Sequence, residues 1–254
     1  MRFFLKVSYN GTRYNGWQRQ PGSPSVQQAL EEALSTRLRE DIAVVGAGRT
    51  DTGVHATCCV AHFDTISPEP CEGRSFSDKL NSMLPADIAV HKTVPVSPEA
   101  HARFDATERE YKYYIITHKD PFRTETAWFC RWPLDLDAMN SAAATLLRAE
   151  EFTTFSKLHS ANKTDRCDVR HALWERLATG EIVFTIRADR FLRNMVRSIV
   201  GTLVDVGRGK LSADDFGAIL DARNRSLASS SAPPHGLFLT CVRYPESIFA
   251  GDAT

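Results

Sequence analysis

Long apolar runs are missing from this sequence of 254 residues. No run approaches the roughly 20 apolar residues that cross a bilayer, and the apolar stretch that follows Met1 is short for a signal peptide. We therefore expect a cytoplasmic protein that does not engage membranes. The hydrophobic fraction of 43% and the charged fraction of 24% are typical of a globular chain that buries a core.

Cysteine is scarce, and the six cysteines include no CxxC pair. A chain of this size does not need disulfides, so we interpret them as reduced thiols. One tract, from His55 through Cys58 and Cys59 to His62, has the residue types of a zinc site. In a strand, alternation places Cys58 and His62 on one face and His55 and Cys59 on the other. We therefore predict buried or strand-edge residues here and no metal.

Net charge is also absent, because 31 basic side chains are balanced by 31 acidic ones. This balance argues against a strongly basic nucleic-acid binder, although an average can conceal a local excess. Residues 1–20 and 187–210 each carry a net charge of +4. These stretches are either solvated faces balanced elsewhere or contacts to a polyanion, and the charges alone leave both open.

Apolar patterning in the first half predicts strands that alternate with helices. The predicted strands cover Phe3–Tyr9 and lie near 42–46, 56–63 and 88–96, with a short helix near 76–83. Ser25 and Gln28 have the spacing of a capping box. The helix that follows places its apolar residues on one face (Val26, Leu30, Ala33, Leu34 and Leu38).

The pattern begins again at Tyr111, which indicates two halves of similar plan. Strands are predicted at 111–118, 126–131 and 237–245, with a helix near 136–148 and a hairpin that turns at Thr179–Gly180. A broad apolar stripe from Phe191 to Val204 predicts the strongest helix, with Arg190, Arg193 and Arg197 beside the stripe. The class is therefore α/β (α+β).

The segment GRTDTGVHA (48–56) is the first candidate for chemistry. Arg49 and Asp51 are two residues apart, so extended backbone places both side chains on one face. A guanidinium beside a carboxylate stabilises its ionised form, which suits a nucleophile. The alternative is a glycine-flanked turn in which Thr50, Asp51 and Thr52 only bond the backbone.

The same segment contains Asp-Thr-Gly, the signature of aspartic proteases. Those enzymes need two carboxylates that share a proton, from two such segments or two short chains. No second Asp-Thr-Gly or Asp-Ser-Gly occurs in the sequence. The predicted long helices also contradict the all-β pattern of such a protease, so this reading is disfavoured.

Read in order, several segments resemble the TruA-type tRNA pseudouridine synthases over nearly the whole chain. GRTDTGVHA is the most specific of them, and GWQRQ (16–20) is the next. The weaker segments support the match by their order: Tyr9-Asn10-Gly11, Ser25-Val26-Gln27, Asn81, 84–88, 101–104, 111–113, 195–201, Gly236-Leu237 and Tyr244-Pro245.

The resemblance implies an isomerase that converts uridine to pseudouridine in the anticodon stem-loop of tRNA, at positions 38, 39 and 40. The reaction moves the uracil from an N-glycosidic to a C5-glycosidic bond without redox change, so no cofactor is expected. By similarity Asp51 is the nucleophile, attacking either C6 of the base or C1′ of the sugar. A homodimer that binds tRNA with both subunits is also implied.

Three further residues receive roles from the resemblance. Tyr111 matches the active-site tyrosine that stacks on the target base, and Arg197 matches the basic partner of the aspartate. Arg49 either holds the site that a flipped uridine leaves or contacts phosphate. Candidates for other phosphate contacts are Arg13, Arg19, Arg103, Arg190 and Arg193.

The sequence departs from the family pattern in two places. Asn10 stands where the family usually has aspartate, and its amide can serve the same turn. Glu108 and Glu110 flank Arg109 where the family is commonly more basic, which weakens a phosphate contact just before Tyr111.

The combined expectation is an α/β (α+β) enzyme with two similar halves, each a mostly antiparallel sheet backed by helices. Residues 1–104 would carry Asp51 and residues 105–254 would carry Tyr111 and Arg197, with a basic catalytic cleft between the halves. The rival hypothesis is a catalytically idle RNA-binding protein. An idle protein has no chemical reason to keep the aspartate, the tyrosine and both arginines together.

Overall fold

A computed structural model describes residues 1–67, 71–157 and 164–249. The chain forms two compact units, one from Met1–Glu108 together with the residues from Leu239 onward, and one from Arg109–Phe238. The predicted functional halves, 1–104 and 105–254, stay a prediction. None of the helices in the described ranges is long and apolar enough to cross a membrane.

The first unit is built on antiparallel strands. Its elements are β1 (Arg2–Tyr9), α1 (Val26–Leu38), β2 (Val44–Gly46), β3 (His55–Asp64), α2 (Gly73–Asn81) and β4 (Ile88–Val96). Strand β1 lies between β3 and β4, and β2 pairs with β3. The register places Tyr9, at the end of β1, beside Ala56 of β3 and Ile88 of β4. Helix α1 contacts β2, and α2 contacts β4.

The second unit is also built mainly on antiparallel strands. Its elements are β5 (Glu108–Ile116), β6 (Trp128–Phe129), α3 (Leu136–Ala143), β7 (Val169–Arg176), β8 (Ile182–Ala188), α4 (Met195–Gly207) and α5 (Ala213–Asp221). Strand β8 lies between β5 and β7, antiparallel to both, and the short β6 is parallel to β5. Helix α3 packs on β7, α4 and α5.

The last strand, β9 (Leu237–Arg243), belongs from Leu239 to the first unit, where it lies beside β3. The predicted class, a mixed α/β fold with mostly antiparallel strands backed by helices, is confirmed. Strand β4 has the predicted bounds, and the hairpin of β7 and β8 turns at Gly180, whose φ is +87°.

Helix ends differ most from the predictions. Ser25 caps α1 by accepting from the Gln28 amide at 3.3 Å, but the Gln28 side chain donates to Glu32 instead of returning to the cap. Helix α2 begins three residues before the predicted start. Helix α5, which begins with a full capping box at Ser212 and Asp215, was not predicted.

The predicted start of the strongest helix near Phe191 is wrong, because α4 begins at Met195. Asn194 has a left-handed backbone with φ of 65°, which helical residues do not adopt. Arg190 and Arg193 therefore precede the helix, and only Arg197 of the three arginines lies on it. The apolar stripe continues as predicted from Met195 to Val204.

Candidate active site

Asp51 lies in the loop that joins β2 to β3. Exposure alternates from Arg49 to Asp51: Arg49 is exposed, Thr50 is buried and Asp51 is half-buried. The side chains of Arg49 and Asp51 thus share the open side, as their spacing predicts, while Thr50 points into the protein. The loop therefore presents a carboxylate and a guanidinium to solvent from a buried anchor.

A tight turn fixes the backbone directly after Asp51. The Asp51 carbonyl accepts from the Val54 amide at 3.1 Å, and Gly53 has a φ of +76°. The Gly53 amide in turn donates to the Tyr14 carbonyl at 3.3 Å. A positive φ is costly for a residue with a β-carbon, so glycine is required for this turn. The glycine-flanked turn that was the alternative reading of this segment is therefore present, and it fixes the peptide that follows the aspartate.

The segment GWQRQ holds the other side of the loop. Trp17 donates its amide to the Thr50 carbonyl at 3.2 Å. Gly16 has a φ of +83°, and a β-carbon there would lie only 2.3 Å from the Thr50 carbonyl oxygen. The indole of Trp17 is 2% exposed and covers Gly46, where a β-carbon would lie 2.5 Å from the ring. The second most specific motif of the sequence thus packs directly against the loop that carries Asp51.

The buried carboxylate of Glu31, on α1, forms hydrogen bonds with both the GWQRQ segment and β2. Glu31 of α1 accepts from the Val44 amide at 3.2 Å and from Arg19 at 3.0 Å. Gln27, one turn earlier, accepts from the Gln18 amide group and the Arg19 backbone, both at 2.9 Å. Arg19 thus has an internal partner, while its side chain remains 56% exposed. Its predicted phosphate contact stays a prediction.

The His and Cys tract is used for the first unit's own hydrogen bonds. His55 Nδ1 accepts from the Gly11 amide at 3.0 Å, and His62 Nδ1 accepts from the Ala102 amide at 3.1 Å. Burial lowers the pKa of His62 to about 4, which keeps the ring neutral and able to accept. Burial also raises the pKa of the Cys59 thiol. Within the described ranges, no three His, Cys, Asp or Glu side chains are grouped to hold a metal.

The departure at Asn10 keeps the turn that the family's aspartate would form. Its Oδ1 accepts from the Thr12 amide at 3.0 Å and caps a short 3-10 helix at Gly11–Arg13. The backbone N–H of Asn10 donates to the backbone carbonyl of Asp87 at 2.9 Å. The Asn10 side chain thus caps a turn here through its oxygen, and its equivalence to the family's aspartate stays a prediction.

Tyr111 lies on β5 in the second unit. Its side chain shares the buried face of the strand with Tyr113 and Ile115, and it is 8% exposed. The ring meets Phe191 edge-on, with centroids 5.1 Å apart and planes at 88°. Edge-to-face pairs of this kind are a favoured aromatic geometry and help to fix the orientation of the ring. Phe191 was predicted as a helix residue and instead orients Tyr111.

Arg197 lies in the first turn of α4 and is half-buried. Its Nε donates to the Ala232 carbonyl at 2.8 Å, and the Ala232 amide returns a bond to the Arg197 carbonyl at 2.9 Å. Gly201, one turn later, lets the loop that contains Ser230 and Ala232 pack against the helix. A β-carbon at Gly201 would lie only 2.0 Å from the Ser230 carbonyl oxygen. The guanidinium is thus fixed through Nε.

The loop at 229–236 has a role that the sequence did not reveal. It bonds Arg197 through Ala232, and its Pro233 carbonyl accepts from the Tyr113 hydroxyl at 2.8 Å. Burial raises the pKa of Tyr113 well above its usual value, and burial lowers the pKa of His235, which the charge of Arg197 lowers further. Both rings are therefore neutral near pH 7. The run of Ser and Pro predicted only a loop.

The acids that depart from the family pattern are ion-paired. Glu110 accepts from Arg187 Nε at 2.8 Å, and Glu108 pairs with Arg243 at 3.3 Å. Arg109 between them donates to the Asp189 carbonyl at 2.7 Å. The negative charges expected to weaken phosphate binding before Tyr111 are thus compensated by neighbouring arginines.

The remaining phosphate candidates are distributed over both units. Arg13 pairs with Asp87 at 2.7 Å, and the Arg103 guanidinium lies 5.8 Å from the ring centroid of Phe104. Arg190 donates to the Thr164 carbonyl at 3.3 Å. The structure thus places Asp51 and Arg49 in the first unit and Tyr111 and Arg197 in the second.

Comparison with known proteins gives a consistent result. A family model described as tRNA pseudouridine synthase matches residues 6–105 and 142–245. The two matched segments contain Arg49, Asp51 and Arg197, whereas Tyr111 lies between them.

Curated relatives match over nearly their whole length. The chain is 54% identical to tRNA pseudouridine synthase A of Bacteroides fragilis, with 98% of each protein covered. It is 42% identical to the protein of that name from Actinobacillus succinogenes, covering 97% of this chain and 93% of the relative. For the Bacillus pumilus protein of the same name the identity is 40%, with 96% and 99% covered.

Proposed function

The chain belongs to the tRNA pseudouridine synthase family, and on that premise we propose that it isomerises uridine to pseudouridine in tRNA. The glycosidic bond from C1′ to N1 breaks, the uracil turns and a bond from C1′ to C5 forms. The C5 proton leaves to water and N1 takes up a proton from water, so atoms and electrons balance without a further co-reactant. The observation that carries the proposal is a half-buried carboxylate on a backbone-fixed loop within the most specific motif.

We propose Asp51 as the nucleophile. Peptide groups on both sides of Asp51 accept hydrogen bonds, from Trp17 at 3.2 Å and from Val54 at 3.1 Å. A fixed backbone lets a carboxylate attack without first ordering the loop, which lowers the entropic part of the barrier. Attack at C6 or at C1′ both use the same carboxylate.

Tyr111 would stack on the target uracil. Its ring orientation is set by Phe191 and by the buried face of β5, so the side chain loses little freedom when a base binds. A tyrosine in this setting can also take part in moving the C5 proton. Either role requires the ring, and only the second requires the hydroxyl.

The two arginines would act on charge and on the flipped nucleotide. Arg197 would pair with the carboxylate of Asp51, with its guanidinium oriented by the bond to Ala232. Arg49, exposed beside Asp51, would occupy the position that the uridine leaves in its stem. A paired uridine costs a few kcal/mol to flip, and a side chain in the vacancy offsets part of that cost.

The finer substrate assignment follows the family resemblance. We propose uridines 38, 39 and 40 of the anticodon stem-loop as targets and a homodimer as the acting form. Mapping pseudouridine in tRNA from cells with and without the gene tests the positions. Sedimentation equilibrium tests the dimer, and a monomer that retains full activity would contradict it.

The activity is tested with tRNA that carries tritium at C5 of uridine. Purified protein should release tritium to water, and Asp51→Ala should release none. Asp41→Ala removes an exposed carboxylate elsewhere in the first unit and serves as the matched control, with release at the wild-type rate. Tight tRNA binding with no release by the wild-type protein would instead support the idle RNA-binding alternative.

A further inference from the structure

We propose that Tyr9 is a positioning residue for Asp51, and that its hydroxyl acts through the side chain of Thr50. The Tyr9 hydroxyl lies 2.9 Å from Thr50 Oγ1, and both residues are buried, with 4% and 8% of their surface exposed. This inference rests on the proposed function, because it assigns a role relative to Asp51 as the nucleophile.

Tyr9 is held in place by the sheet. It is the last residue of β1, and its Cα partners are Ala56 of β3 and Ile88 of β4. Its ring also lies 6.1 Å from the Trp17 ring, measured between centroids. A side chain anchored between two strands moves little, so its hydroxyl is a fixed reference point for the loop.

Thr50 transmits this position to Asp51. Its side chain bonds Tyr9 and its carbonyl accepts from the Trp17 amide at 3.2 Å, so the residue is held at two separate points. Gly16 packs directly against this peptide, because a β-carbon there would lie 2.3 Å from the Thr50 carbonyl oxygen and 3.0 Å from the Asp51 carbonyl carbon. The peptide that enters Asp51 is therefore fixed from three directions.

The hydrogen bond between the two hydroxyls restrains the loop in a way that packing alone does not. Packing and the Gly16 contact limit how closely the loop approaches β1, whereas a hydrogen bond also prevents it from moving away. A nucleophile displaced by about 1 Å can lose roughly a hundredfold in rate. The expected signature is a slower chemical step with unchanged tRNA binding, since neither hydroxyl is exposed to the substrate.

The test compares Tyr9→Phe, Thr50→Val and the double variant by single-turnover tritium release at saturating tRNA. Each single variant should be slower by about tenfold, the factor expected for one lost hydrogen bond. The double variant should be no slower than either single variant, because the two changes remove the same bond. Thr50→Ser, which keeps the hydroxyl, should retain the wild-type rate, and the tRNA dissociation constant should not change in any variant.

Tyr244→Phe is the matched control. It removes another tyrosine hydroxyl bond in the same unit, 2.6 Å from the Ala102 carbonyl, and should keep the wild-type rate. Thermal unfolding identifies any variant that fails to fold. In that case the tritium-release rates of Thr50→Ser and Thr50→Ala are compared instead. Wild-type rates in both single variants, a multiplied loss in the double variant, or a loss confined to tRNA affinity would each overturn the proposal.

The outcome is separable from that of the proposed function. If Asp51→Ala abolishes release while Tyr9→Phe and Thr50→Val leave it unchanged, the positioning role fails and the nucleophile stands. If the wild-type protein releases no tritium, or Asp51→Ala releases it normally, the proposed function fails first.

Discussion

The Asp51 loop of the first unit and the Arg197 region of the second are fixed by different means. The loop accepts main-chain hydrogen bonds from Trp17 and Val54, donates one from Gly53 to Tyr14, and is approached closely by Gly16. In the Arg197 region, the guanidinium donates to a loop carbonyl and Tyr111 meets Phe191 edge-on. The first arrangement depends mainly on backbone groups and on glycine, and the second depends on side chains.

The comparison teaches which changes each region tolerates. A main-chain arrangement is insensitive to most side-chain substitutions, but an added β-carbon disrupts it. An arrangement of side chains is sensitive to substitution of those side chains and less sensitive to a β-carbon added elsewhere on the backbone. Asp51, the proposed nucleophile, is thus positioned mainly by backbone bonds together with one buried hydroxyl pair, whereas Tyr111 and Arg197 are positioned by side-chain contacts.

The largest expected effect breaks the main-chain arrangement. Gly16→Ala places a β-carbon 2.3 Å from the Thr50 oxygen at a φ of +83°. We expect a loss of about 4 kcal/mol in the free energy of unfolding, and tritium release at least a hundredfold slower. Urea unfolding measures the first quantity and the tritium assay the second.

Gly22→Ala is the control for this prediction. Gly22 also has a positive φ, +74°, but nothing lies within 4 Å of a β-carbon there. Only the backbone strain remains, about 1 kcal/mol. Equal effects of the two substitutions would show that the contact with the Asp51 loop is unimportant.

Arg197→Ala should produce the next largest effect, by removing both the proposed charge partner and the bond to Ala232. We expect tritium release to slow by roughly a hundredfold, as for the loss of a charge-stabilising donor. Arg197→Lys keeps the charge but lacks Nε, so it should recover only part of the rate. Full recovery by lysine would contradict the role of guanidinium orientation.

A third prediction concerns a side-chain bond within the first unit, from the Ala102 amide to His62. Burial lowers the pKa of His62 from 6.5 to about 4, so the unfolded chain binds the proton first as pH falls. Stability is therefore complete above pH 6.5 and is lost between about pH 6.5 and 4, by about 2 kcal/mol at pH 5.

Urea unfolding as a function of pH tests this prediction. His62→Asn keeps an acceptor that does not titrate, so its stability should fall less over the same range. Parallel pH profiles for the two proteins would show that other groups, such as His101, cause the loss.

The smallest effect is expected at the Tyr111 hydroxyl. Tyr111→Phe keeps the ring and its contact with Phe191, so tRNA affinity should be unchanged. If the hydroxyl helps move the C5 proton, release should slow by about tenfold or more. An unchanged rate would restrict Tyr111 to stacking on the base.

Local signals in the sequence predicted much of the fold. Strand β4, the hairpin at Gly180 and the start of α1 at Ser25 follow from alternation, turn residues and capping, which act between near neighbours. The start of α4 was wrong because Asn194 adopts a left-handed backbone that periodicity does not encode. Helix α5 was missed although Ser212 has capping-box spacing.

The sequence predicts which residues form the site, and their identity stays a prediction, whereas the contacts that hold them were not predictable. Motif order pointed to Asp51, Tyr111, Arg49 and Arg197 as site residues. The contact of Trp17 with Gly46 and the bond from Arg197 to Ala232 join residues distant in sequence. Such contacts depend on the tertiary structure, and no local pattern announces them. The sequence therefore indicated which residues to examine, and the structure showed what fixes them.

The most direct test of the central claim uses Asp51→Asn, which keeps the shape of the side chain and one acceptor oxygen and removes the charge. The measurement is single-turnover tritium release from C5-labelled tRNA, with unfolding and tRNA binding verified in parallel. We expect a folded, tRNA-binding protein that releases no tritium. Release at the wild-type rate would contradict the assignment of Asp51 as the nucleophile.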